Sequence, residues 1–61
     1  MGGGKIAVMT MHEAARDGDA AELRRQVAMG VNVDERDEHG ATALLWAALN
    51  GHVEAIKALV E

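Results

Sequence analysis

Between residues 40 and 60 the apolar positions fall into two short bursts, Leu44-Leu45-Trp46-Ala47-Ala48-Leu49 and Ala55-Ile56 with Ala58-Leu59-Val60, separated by Asn50-Gly51-His52. Each burst has the three-to-four residue spacing of a helix with one apolar side, and the glycine between them marks a tight turn, so the stretch predicts a helical hairpin. Thr42 caps the first helix of this pair, expected over residues 44–50 and closed by Gly51. The second helix is expected from residue 53 to the end of the chain.

Upstream, Thr10-x-x-Glu13 is a capping box. Its hydroxyl accepts from an orphan amide while the carboxylate reaches back to the cap residue. A short helix over residues 11–17 follows, ended by Gly18. Asp19-x-x-Glu22 gives the same signal one turn later and starts a helix to residue 29, where Gly30 stops it. Leu23, Val27 and Gln26 are expected on its inward side, and Glu22, Arg24 and Arg25 towards water. Between the hairpins, Val31-Asn32-Val33-Asp34 alternates briefly and then turns wholly polar through His39. An extended excursion tipped by a turn fits, because Asn32, Asp34 and Asp37 can fold their side chains onto nearby backbone. Residues 1–9 are expected to form a flexible or extended leader, since three consecutive glycines cost too much backbone entropy inside an element.

Shifted by 33, the chain lays Ala14-Ala15-x-x-Gly18 on Ala47-Ala48-x-x-Gly51, Leu23 on Ile56 and Val27 on Val60, with Thr10 one place from Thr42. Matches at helix boundaries and inward positions together identify a tandem repeat of helical hairpins. That period, with Asp37-x-x-Gly40-x-Thr42-x-Leu44, the following Ala47-Ala48-x-x-Gly51-His52 and Gly30-Val31-Asn32-Val33-Asp34, resembles the ankyrin repeat. The resemblance covers residues 11–61 and implies an all-α, helical-hairpin solenoid of about two repeats with a β-turn finger between them. Residues 10–30 then form a first, capping repeat, 31–41 the inter-repeat finger, and 42–61 a second, C-terminally incomplete repeat. Ala43 stands where the family usually has proline and Leu45 where it usually has histidine, although His12 occupies that histidine position in the first repeat. Losing a proline at the first helical position loosens the first turn.

Composition narrows the function. A chain of 61 residues is at most one small domain with marginal stability. Trp46 is the only aromatic and there is no cysteine, so the core is thin and neither a disulfide nor a thiolate metal site supports it. The formal charge of −4, with only Arg24 and Arg25 adjacent, argues against nucleic acid. No apolar run approaches the roughly 20 residues that span a bilayer, so a soluble, cytoplasmic protein without membrane contact is expected.

Candidate chemistry is sparse. His12-Glu13 begins a His-Glu-x-x-His zinc motif, but Arg16 replaces the second ligand. Gly-Gly-Gly-Lys at residues 2–5 lacks the Ser or Thr of a phosphate loop, and the acids at 17–19 and 34–38 lack calcium-loop spacing. With neither serine nor cysteine, the corresponding nucleophiles are excluded. No enzyme activity, cofactor or metal is expected from this chain, although ankyrin units can also position a catalytic domain elsewhere in a longer protein.

The resemblance instead implies a protein-protein interaction module. Ankyrin partners meet the fingertips and the concave side of each unit's first helix. Carried onto this sequence, that surface is Arg36, Glu38, His39 and Ala41 in the finger, with Leu49 and Asn50 on the helix and Trp46 beside them. Trp46 lies off the axis of Leu44 and Ala48, towards the neighbouring repeat or the concave surface, and either packing or a binding anchor would suit it. The acids at 34, 35, 37 and 38 around Arg36 favour a basic partner. The second repeat leaves Ile56, Leu59 and Val60 as an apolar edge, and Glu61 puts a carboxylate at the negative end of the helix dipole. Repeat proteins need about three units to be stable alone. The chain is therefore expected to be a fragment of a longer array, or to be completed by a partner or another copy. Self-assembly through that edge is the alternative function.

Overall fold

The computed structural model describes residues 9–61; the leader expected over residues 1–9 lies, but for Met9, outside them. Four helices follow in order: α1 (Met11–Asp17), α2 (Ala20–Ala28), α3 (Ala43–Leu49) and α4 (Val53–Val60). No strand occurs among the described residues. α1 pairs with α2 and α3 with α4 as hairpins, and the hairpins stack so that α1 packs on α3 and α2 on α4. The observed architecture is thus the all-α stack of two hairpins expected from the repeat.

Local signals set the helix ends. The Glu13 N–H donates to Thr10 Oγ1 at 3.1 Å and the Thr10 N–H donates to Glu13 Oε1 at 2.9 Å, completing the box. At Asp19 only half of the expected box forms. The Glu22 N–H donates to Asp19 Oδ1 at 3.1 Å, but the Glu22 carboxylate turns along the helix to Arg25 and Gln26. The Asp19 N–H is occupied by the Ala14 carbonyl at 2.8 Å, part of the turn that ends α1. The same bond recurs at the second hairpin, where the His52 N–H donates to the Ala47 carbonyl at 3.0 Å. Both turns need a left-handed residue just before, supplied by Gly18 and Gly51 at φ 80° and 69°.

The core between the hairpins is built from small side chains. Met11, Ala14, Ala15 and Leu23 meet Ala43, Ala47, Ala55 and Ala58, with Trp46, Ile56 and Leu59 partly buried around them. Among the described residues Leu23 is the single large side chain that is fully buried. Alanine keeps helical backbone cheap to form and lets facing helices approach closely, but each buries little apolar area, so the fold stands on a narrow margin.

One inward assignment changes. Val27 is 38% exposed, while Gln26 is buried, its Nε2 donating to the Met9 carbonyl at 2.9 Å and to Glu22 Oε2 at 2.7 Å. A polar side chain can occupy that site because both of its amide hydrogens find acceptors. Glu61 is not left bare against the helix dipole, since Arg24 Nη2 reaches across from α2 to its Oε1 at 3.6 Å.

Candidate protein-binding surface

The finger is organised by Asp37. One carboxylate oxygen, Oδ1, accepts from the His39 and Ala41 N–H groups, both at 2.9 Å. Two backbone bonds close the loop around it, Asp37 N–H to the Ala41 carbonyl and Gly40 N–H to the Asp37 carbonyl, each 2.9 Å. Its other oxygen, Oδ2, accepts from the Trp46 indole Nε1 on α3 at 2.7 Å. These donors, led by the Ala41 amide and then the indole, hold the Asp37 carboxyl well below its usual range, at about 2. The finger is therefore tied to the first helix of the second repeat. At its base Asn32 Oδ1 accepts from the Asp34 N–H at 3.0 Å, the local side-chain turn that the composition predicts.

The first repeat holds the finger from the opposite side. His12 Nε2, near the start of α1, lies 2.7 Å from the Glu35 carbonyl, which accepts from the ring. Between finger, α1 and α3 lies a groove of about 450 Å³. Trp46, half-buried, and the exposed His39 form part of its wall, their rings meeting edge to face with centroids 6.2 Å apart. Glu13, Glu35, Asp37 and Glu38 contribute four carboxylates to it against the two guanidinium groups of Arg16 and Arg36.

Of the residues expected at the binding surface, Arg36, Glu38, His39 and Trp46 line this groove together. Ala41 corrects the expectation: it is only 6% exposed, and its N–H is spent on Asp37, so it serves the interior of the finger. Asn50 caps the end of α3, its Nδ2 donating to the Trp46 carbonyl at 2.8 Å. Leu49 is 70% exposed but stands outside the groove. Sequence reasoning missed Thr10, His12, Glu13 and Arg16, which complete the groove from the first repeat, and had Glu35 and Asp37 only as members of the acidic run around Arg36. Their local roles as cap and helix residues concealed that α1 and the finger face each other. Ile56 and Leu59 are partly buried on the core, and Val60 is exposed.

Among the described residues no cluster of three or more His, Cys, Asp or Glu is placed to hold a metal ion. No helix there is long and apolar enough to cross a membrane.

The family model for ankyrin repeats (many copies) matches residues 11–60. The chain is 33% identical over 57 residues to acyl-CoA-binding domain-containing protein 2 of Arabidopsis thaliana, covering 93% of this chain. It is 40% identical over 50 residues to osteoclast-stimulating factor 1 of Monopterus albus, covering 82% of this chain. It is 36% identical over 62 residues to the mitochondrial liver isoform of glutaminase of Rattus norvegicus, covering 97% of this chain. The chain spans only 16%, 23% and 10% of the length of these relatives respectively. No solved structure matches it significantly. Because the family match runs across both hairpins and the finger between them, the chain belongs to the ankyrin-repeat family.

Proposed function

We propose that this chain is a non-catalytic protein-binding module that holds an extended, basic segment of a partner in the groove between finger, α1 and α3. The observation that carries this reading is the half-buried indole of Trp46, fixed by Asp37 in a concave wall beside His39. A preorganised tryptophan loses little freedom on binding and is the side chain most often found at the energetic centre of an interface. Four carboxylates against two guanidinium groups supply the preference for a basic segment. Relatives named for acyl-CoA binding, for osteoclast stimulation and for glutaminase activity share this short span with the chain. A span common to such different proteins fits an interaction module better than any one chemistry.

Trp46 is the only tryptophan, so its fluorescence reports on the groove directly. A lysine-rich extended peptide should change its emission saturably, and an acidic peptide of equal length should not. Glu38→Lys should weaken the basic peptide by about tenfold without loss of helicity, and more at low salt than at high salt. Equal responses to both peptides would remove the charge preference, and no response to either would remove the groove as a binding site.

A further inference from the structure

We propose that protons gate the groove: the imidazoles of His12 and His39 take up charge on mild acidification and weaken its hold on the basic segment. The proposal rests on the groove being the binding site and adds how that site is controlled. Every group it uses lies between the two repeats, where finger, α1 and α3 meet.

The charge of the groove is small enough for two protons to cancel it. Among the described residues its wall carries the carboxylates of Glu13, Glu35, Asp37 and Glu38 against the guanidinium groups of Arg16 and Arg36, which leaves two carboxylates uncompensated. α3 brings no charged side chain. On its other side His12 lines a smaller cavity with Gln26 of α2 and Val31, both uncharged, and the one acid there is again Glu35. Asp37, held at about 2 chiefly by the Ala41 amide, stays ionised through the range in which imidazoles titrate. His12 and His39 are the two imidazoles of the wall, one for each uncompensated carboxylate.

Both rings can charge without dismantling the groove. His12 donates from Nε2 to the Glu35 carbonyl at 2.7 Å, and an imidazolium keeps that donor while gaining its proton on Nδ1. The finger therefore stays anchored to α1 while the local charge changes. His39 is exposed, with Nδ1 3.9 Å from Asp37 Oδ2. That is too long for a hydrogen bond but short enough for a charge on the ring to be felt at the carboxylate. Once protonated, His39 is a resident cation beside Trp46, and a lysine or arginine of the segment meets like charge where it had met a carboxylate. Proton and basic segment thus compete, and linkage requires that binding release protons to the same degree that acid weakens it.

Isothermal titration calorimetry of the full chain with a lysine-rich, histidine-free peptide with blocked ends, whose own charge is constant, tests the gate. Between about pH 7.5 and about pH 5.5 the affinity should fall about fivefold or more, with the circular dichroism spectrum unchanged. Midway, buffers of different ionisation enthalpy should show protons released on binding. His39→Gln should at least halve the ratio of the two affinities, whatever its affinity at the higher pH. His12→Gln, which keeps a donor for the Glu35 carbonyl, should bring the ratio near one when combined with it; if that pair loses helicity, His39→Gln alone decides. Equal affinity at the two pH values, tighter binding in acid, proton uptake on binding, or a ratio undiminished in His39→Gln would each overturn the gate and leave the groove as a binding site. Absence of binding at both pH values would instead remove the groove reading, and the gate with it.

Discussion

The imidazole of His52 lies against Gly18 of the preceding repeat, so close that a Cβ at residue 18 would stand 2.7 Å from Nδ1. The ring's Nε2 is 3.0 Å from the Arg16 carbonyl, which accepts from it, so the turn of the second hairpin is pinned onto the turn of the first. Gly18 thus serves both a left-handed turn and the seat of a side chain 34 positions later.

Gly18→Ala should therefore cost more than Gly51→Ala, although both replace left-handed glycines. Gly51 has open space around its missing Cβ, so its substitution pays only the backbone cost of about 1–2 kcal/mol. At Gly18 the ring must also move and its hydrogen bond weakens, adding about 1 kcal/mol. In a His52→Ala background the difference between the two glycine variants should vanish. Urea unfolding of the six chains measures this, and an equal cost in the parent background would remove the contact as a cause.

Acid should loosen the finger and α2 together. The Asp37 and Glu22 carboxyls are both held at about 2, the first mainly by the Ala41 amide and the Trp46 indole, the second mainly by Arg25 and then Gln26. The unfolded chain protonates them near the ordinary values of 3.8 and 4.5. Between those values and about 2 the unfolded state binds more protons, so their stabilisation is complete above roughly pH 4.5 and is lost as pH falls towards 2. Circular dichroism should show this fall, with Trp46 emission changing over the Asp37 part of the range. Asp37→Asn should make the acid slope shallower and leave the Glu22 part in place.

Leu23→Ala should abolish most of the folded state. Removing this large, fully buried side chain costs about 2–5 kcal/mol, comparable to the entire margin of so small a core. Val27→Ala, on the same helix but 38% exposed, should cost well under 1 kcal/mol beyond any change in helix propensity. Thermal melts of the two variants compare them, and similar costs would contradict the inward face drawn here.

Trp46→Phe keeps an aromatic ring in the groove wall but removes the donor to Asp37 Oδ2. Amide exchange at His39 and Ala41 should speed up, since the carboxylate that accepts from both is no longer fixed from α3. Exchange in α1 should change little, and a uniform acceleration through all four helices would mean that the indole supports the whole fold rather than the finger.

By itself the sequence determined the four helices, their caps, the turn chemistry of Asn32 and the repeat that makes the chain two stacked hairpins. These rest on bonds that close within about four or five residues, where residue type and spacing decide the outcome. Helix ends moved by one residue, with α3 occupying Ala43–Leu49, because Thr42 caps the residue directly after it. Only the tertiary structure decided that Val27, expected inward beside Gln26, stays 38% exposed, that Trp46 reaches back nine residues to Asp37, and that His12 and His52 hold carbonyls 23 and 36 residues away. It likewise brought α1 to one side of the groove and closed Ala41 off from solvent. Such contacts depend on the rotation of each helix against the next layer and on the reach of single side chains, and neither quantity is written in local spacing.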